Sequence, residues 1–216
     1  MKQHTTIIIT IFLELIIFFI FLYWYYEEDQ FTYLLKCLIN SSLNKSGLPT
    51  SRNIMNKITQ LINKLPKLYY TLIDFGSGGG DFINNMHNIK SIKNTIGIEL
   101  DINQANNTKK QFSEISSVTI LNMDMVDYKF KSVPTILYMY EPLWCLKKED
   151  ALPIYHNVMN NISLMTDPCY IIYVSAIYPI LDSEFFKLYP FKIIHHSYVQ
   201  RLIGFNLNHV YVLKHK

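Results

Sequence analysis

A chain of 216 residues is long enough for one α/β domain with its own core and a short appendage. The net charge is a mild +3 and the lysines are dispersed, too little by themselves to argue for a nucleic-acid binder. Cys37, Cys145 and Cys169 stand at unrelated spacings that support neither a disulfide framework nor a zinc or other metal site.

From Thr5 to Tyr26 the sequence is almost wholly apolar, about 22 residues or roughly 33 Å as a helix, enough to cross a bilayer core. Glu14 interrupts it at a cost of ~3 kcal/mol, which about eight Ile, Leu and Phe neighbours at about −0.3 to −0.6 kcal/mol each can offset. Tyr23, Trp24, Tyr25 and Tyr26 then form an aromatic cluster of the kind found at membrane interfaces. A cleaved signal peptide or a buried soluble helix are the rival readings. The acidic run Glu27, Glu28, Asp29 just after it offers no small-residue cleavage site, so an uncleaved anchor is expected. Lys2 on one side and Lys36 and Lys45 on the other leave its orientation open.

A polar stretch with Gly47 and Pro49 reads as a linker. Thr50 or Ser51 then caps a helix whose apolar stripe is Ile54, Ile58, Leu61, Ile62 and Leu65, stopped by Pro66. Beyond it the pattern alternates strand and helix as in βαβ units. Strands are predicted over 71–75, 94–100, 118–123, 135–140 and 169–177. Polar or amphipathic helices are predicted over 103–116, 148–165 and 181–188. Two last strands, 191–201 and 206–214, are too close in sequence for a helix between them and must pair antiparallel. The expected fold is α/β, a Rossmann-like, mostly parallel seven-stranded sheet with a C-terminal antiparallel hairpin.

The densest signal is Y-T-L-I-D-F-G-S-G-G-G-D at residues 70–81, which holds four of the chain's 7 glycines. A buried strand that ends in glycines and feeds a helix brings backbone N–H groups against a nucleotide-like ligand. The dinucleotide fingerprint G-x-G-x-x-G fails, because its third glycine would fall on Asp81, and no G-K-[ST] comes after it for a P-loop. What stands instead is Asp74 followed by G-x-G-x-G at Gly76, Gly78 and Gly80.

These residues resemble the class I S-adenosylmethionine-dependent methyltransferases, whose first motif is an acidic residue followed by G-x-G-x-G. The resemblance covers roughly residues 51–216. It implies that the glycine turn lies under the methionyl part of the cofactor, that Glu99 in I-G-I-E-L holds the ribose hydroxyls, and that Asp124 in L-N-M-D-M stands near the adenine. Y-E-P-L-W at 140–144 looks like the strand-end N-P-P-[FY] of related enzymes, with Glu141 in place of Asn or Asp and Leu143 in place of the second Pro or aromatic. Lys or Arg often comes after the glycines in relatives of this type, where this chain has Asp81.

The chemistry expected of these residues is specific. A carboxylate at a strand end can accept both ribose hydroxyls. Asp74, Glu141 and the faces of Tyr140 or Trp144 would favour a sulfonium cation, and Glu141 would accept a hydrogen bond or proton from an attacking amine. Plainer roles stand beside these: Asp74 bonding backbone N–H groups of the turn, Asp124 as a turn residue, Trp144 as core, and His195 and His196 as structural.

The sequence thus leads to residues 1–28 as anchor, 29–50 as connector and 51–216 as methyltransferase domain. The expected enzyme is anchored through residues 5–26, faces the cytosol and uses S-adenosyl-L-methionine. Its catalytic residues would be Glu141 and Trp144. Asp74, Gly76, Gly78, Gly80, Glu99, Asp124 and Tyr140 would bind cofactor. The favoured acceptor is a protein lysine. A lipid or small-molecule acceptor, or a non-catalytic interaction module, are the alternatives, and nucleic acid is not expected as a partner.

Overall fold

The structure, a computed structural model, describes residues 14–15, 50–143, 146–175, 180–200 and 207–216. The chain divides into two units, Met1–Asn44 and Lys45–Lys216, and the second holds the whole sheet and the helices that cover it. Apart from Glu14, Leu15 and Thr50, the expected anchor and the connector lie outside the described residues, as do Trp144 and Cys145. No helix among the described residues is long and apolar enough to cross a membrane.

Helix α1 (Arg52–Ile62) starts where Ser51 Oγ accepts the Ile54 N–H, and it buries Ile54, Ile58, Leu61 and Ile62. Then come β1 (Tyr70–Phe75), the glycine turn, α2 (Asp81–Met86), β2 (Ile92–Glu99), α3 (Ile102–Gln111) and β3 (Val118–Asn122). A short 3-10 turn (Met125–Asp127) leads to β4 (Thr135–Tyr140), α4 (Lys148–Ser163), β5 (Cys169–Val174), α5 (Ser183–Lys187) and the hairpin β6 (Phe191–Gln200) and β7 (Leu207–His215). The predicted helix at 103–116 stops at Gln111, and Phe112 instead turns in to become buried. β5 ends at Val174, short of the expected 177.

The seven strands run in the order β3-β2-β1-β4-β5-β7-β6, with β1 to β5 parallel and β7 antiparallel to both β5 and β6. The predicted sheet and hairpin are therefore present. Strand order reverses between β1 and β4, so the crevice at the carboxyl ends of these two strands is where a doubly wound sheet binds a ligand. Each face of the sheet has its own core. One face carries Ile73, Leu137, Met139, Ile171 and Tyr173 under α4 and α5. The other carries Leu72, Ile136, Tyr138 and Ile172 under α1 and α2.

On this second face Phe82 lies flat on Tyr138 at 3.6 Å between ring centroids, and the Tyr138 hydroxyl bonds Thr50 Oγ1 at 3.0 Å. Left unpaired, a buried hydroxyl would cost about 1–3 kcal/mol, so this bond ties the start of α1 to the central strand.

Candidate functional site

The glycine turn is shaped by its neighbours. Gly76 takes φ +76, and a Cβ there would lie 2.9 Å from Pro142 Cβ. Only glycine fits, and the contact seats the turn after β1 directly on the Glu141-Pro142 pair after β4. Gly80, at φ +81, is pressed against Thr108 and Phe112, while Thr108 Oγ1 donates to Gly78 O at 2.8 Å. Helix α3 therefore holds the turn from the far side.

Glu99 ends β2 and reaches back into the turn. Its Oε2 accepts the Gly78 N–H at 2.8 Å and its Oε1 accepts the Asp101 N–H at 2.9 Å. Two backbone donors fix the carboxylate and leave two of its roughly four acceptor directions for further donors. Beside it Leu100 is 69% exposed and Ile102 53% exposed, an apolar ledge next to a carboxylate. Asn122, at the end of β3, donates to both Glu99 O and Leu100 O at 2.9 Å and so ties the end of β2 to that of β3. Asp124 caps the 3-10 turn by accepting the Val126 N–H at 3.0 Å.

Asp74 behaves differently from Glu99. It is 3% exposed and accepts no hydrogen bond among the described residues; the Gly78 N–H goes to Glu99, and the Gly76 and Ser77 N–H groups go to Ile98 O. Burial, and then the Glu99 charge, push its carboxyl up to about 8. An acid in this state holds a proton at neutral pH and would give it up to a cation placed nearby.

At the end of β4, Glu141 is buried with φ 38, a left-handed backbone that a non-glycine residue adopts at a cost of order 1–3 kcal/mol. Its Oε1 accepts the Tyr173 hydroxyl at 3.2 Å and the Ile180 N–H at 3.0 Å. Burial and the Glu141 charge hold the Tyr173 phenol well above its usual range. The carboxylate thus joins β4, β5 and the segment that enters α5. Tyr140 sends its hydroxyl to Asn208 Oδ1 at 3.1 Å, across β5 to the hairpin.

The fold brings Asp74, Gly76, Gly78, Gly80, Glu99, Asp124 and Glu141 to one edge of the sheet, at the ends of four successive parallel strands. Pro142 belongs to the strand-end motif, whereas Asn122, Thr108 and Tyr173, which help to position these residues, were given no role from the sequence; an Asn that ends a strand beside an acidic strand end was the one local hint. No group of three or more metal-ligating side chains occurs among the described residues.

The sequence matches no family model and no curated protein. Its fold does have solved counterparts. A protein of Pyrococcus horikoshii assigned as an RNA methyltransferase superposes with a TM-score of 0.59 at 15% identity, over 83% of this chain and 96% of its own. The N-methyltransferase NodS of Bradyrhizobium japonicum gives 0.60 at 10% identity, over 76% and 98%. Magnesium protoporphyrin IX methyltransferase of Synechocystis, solved with bound S-adenosylmethionine, gives 0.56 at 10%, over 75% and 78%. The fold is that of the S-adenosylmethionine-dependent methyltransferases, within which these proteins serve different acceptors.

Proposed function

We propose that this chain is an S-adenosylmethionine-dependent methyltransferase. The observation that carries the reading is the bond from the Gly78 N–H to the Glu99 carboxylate, which locks the glycine turn and the acidic strand end into one cradle at the switch point. The cradle fits the cofactor: Glu99 keeps acceptor capacity for two ribose hydroxyls, Leu100 and Ile102 offer apolar cover for a flat base, and Gly76 and Gly78 leave the room that a side chain would fill. Asp74 and Glu99 make the floor acidic, which favours a cation. When bound, S-adenosylmethionine supplies a methyl group made electrophilic by its sulfonium.

The protein's own part is to hold an incoming nucleophile in line with that methyl and to keep water out. Glu141 acts here as a positioning residue. Its carboxylate is committed to Tyr173 and Ile180, so it shapes the acceptor side through the segment it holds. A lysine acceptor therefore rests on the strand-end motif alone, and the acceptor is proposed no more finely than a nucleophile arriving at the carboxyl end of β4. Membrane anchoring through residues 5–26, with the domain on the cytosolic side, belongs to the same proposal; the anchoring rests on the apolar run.

Titration calorimetry of the full chain in detergent with S-adenosylmethionine tests the reading: measurable heat of binding is expected, and its absence at millimolar cofactor would sink the enzyme. Transfer of labelled methyl groups into a lysate, separated into protein, lipid and nucleic-acid fractions, then identifies the acceptor class.

A further inference from the structure

Charge in this fold is sorted by the end of the sheet on which it falls. The turns that follow β1, β2 and β3 carry Asp81, Glu99, Asp101, Asp124 and Asp127 with no Lys or Arg among them. The segments that lead into the strands carry the reverse: Lys64 and Lys67 before β1, Lys90 before β2, and Lys129 and Lys131 before β4. Lys216, just past β7, joins them, while Glu114 and Asp167 are the acids of those segments. Since β7 alone runs against the other strands, its end and the starts of β1 to β6 share one edge. Acids therefore line the carboxyl edge, where the candidate site is, and lysines line the amino edge.

The separation continues into the hairpin. Neither residues 50–70 nor residues 191–216 hold an Asp or Glu, and α1 lays the first segment on β6 from the second. Lys192 and Lys214 pair directly across β6 and β7, one residue in from the amino edge, and both are exposed. Like charges placed directly opposite destabilise a sheet, and neither segment has an acid to offset them. An external anion would.

The same edge displays apolar side chains. Tyr69 before β1 is 69% exposed, Leu164 before β5 81% and Leu188 before β6 69%. Their loops are tied down by backbone bonds, from Thr71 N–H to Pro134 O, Thr135 N–H to Pro168 O and Lys216 N–H to Pro190 O, and by the Ser132–Thr166 hydroxyl pair at 3.3 Å. Loops tied in this way keep the tips outward. Leucine and tyrosine tips among lysines are the chemistry of an anionic lipid surface, where the charges meet headgroups and the tips enter the acyl boundary. A nucleic-acid strand would use the charge and leave Leu164 and Leu188 in water. The apolar run at 5–26, proposed as an anchor, would keep such a surface within reach of the domain.

We propose that the amino edge of the sheet docks on an anionic lipid surface, with Tyr69, Leu164 and Leu188 entering it and Lys67, Lys131 and Lys216 on its headgroups. The strands set the consequence: β4 spans 6 residues, about 20 Å at ~3.3 Å each. The candidate site at their far end then opens toward water, and its acceptor is a soluble molecule rather than a lipid of the same bilayer. Docking rests on the charges and tips alone; only the statement about the acceptor rests on the methyltransferase reading.

The test is hydrogen–deuterium exchange of the full chain with vesicles of phosphatidylcholine, and with vesicles in which about a third of the lipid is phosphatidylserine. Binding through the apolar run is common to both, so their difference reads the edge. Phosphatidylserine should slow exchange severalfold in segments 63–69, 128–134 and 187–192 and leave 76–81 and 99–103 unchanged; salt at about 0.5 M should remove the effect. Lys67→Glu, Lys131→Glu and Lys216→Glu combined should abolish it with thermal melting unchanged. Leu164→Ser with Leu188→Ser should raise the phosphatidylserine needed for half-protection roughly tenfold. Absence of slowing that depends on phosphatidylserine would overturn the proposal, as would equal slowing at both edges, or slowing that survives both salt and the charge reversals. Stronger protection of these segments by single-stranded RNA than by phosphatidylserine would overturn it too, and would mark the edge as a nucleic-acid surface. Methyl label in the lipid fraction of the lysate would overturn the statement about the acceptor. No cofactor enters the exchange measurement, so its failure and a failure to bind S-adenosylmethionine are separable.

Discussion

On the β1–β2–β3 side of the switch point, the candidate site consists of backbone N–H groups and carboxylates held within a few residues of their strand ends. On the β4–β5–β7–β6 side, the groups that matter come from places far apart in sequence: Tyr140 meets Asn208, Glu141 meets Tyr173 and Ile180, and α1 meets β6. The first side is acidic and suits a small cation. The second, where α1 packs on β6, brings together two segments without an acidic residue. β1 and β4 pair along their length, and at the site the two sides meet where Gly76 rests on Pro142. A parallel βα unit presents its functional groups right at the turn it makes, whereas an antiparallel edge strand gains its chemistry only when something packs across it.

The largest expected effect tests the acidic side. Asp74 has its carboxyl raised from 3.8 to about 8, so the folded state keeps a proton that the unfolded chain has lost. The associated stability is complete below pH about 4 and is lost as pH rises through about 8, on the order of several kcal/mol for a shift of this size. Asp74→Asn should flatten this slope and raise the urea midpoint at pH 8 while weakening cofactor binding; a wild-type midpoint that does not fall between pH 5 and pH 8 would remove Asp74 from the buried floor.

The seam comes next. Gly76→Ala must adopt a left-handed backbone and displace Pro142, together about 2–4 kcal/mol from the αL penalty and overpacking. Denaturant unfolding would show that loss, and the same variant should fail to bind cofactor. A mild effect on both would mean that the turn does not rest firmly on Pro142.

Glu99→Ala is expected to weaken cofactor binding by about 1.5–3 kcal/mol, the usual worth of hydrogen bonds to a charged group. Unchanged affinity would mean that Glu99 does not face the cofactor.

How much of this was legible in the sequence obeys the same division. The glycine turn, Glu99 and Asp124 could be read because each lies next to the strand that positions it, and a period-2 or continuous apolar run fixes where that strand ends. Glu99, rather than Asp74, was found to hold the turn, because the choice depends on the distance across two parallel strands. Glu141 could be located but its partner could not: Tyr173 is 32 positions away and reaches it only because β4 and β5 are neighbours. The dispersed lysines looked unremarkable for a related reason, since a one-dimensional average cannot show that two acid-free segments share a face.

The sequence by itself determined the strand–helix alternation, the antiparallel end of the sheet and the identity of the glycine turn, because short-range periodicity and backbone freedom are local properties. Only the tertiary structure decided that Asp74 is buried with no hydrogen bond among the described residues, that Glu141 is turned inward, and that α1 packs on β6 opposite the His196–Tyr211 rings. Those outcomes depend on which strands become neighbours and which helix covers them, and the resulting desolvation and charge proximity exist only after the chain has packed.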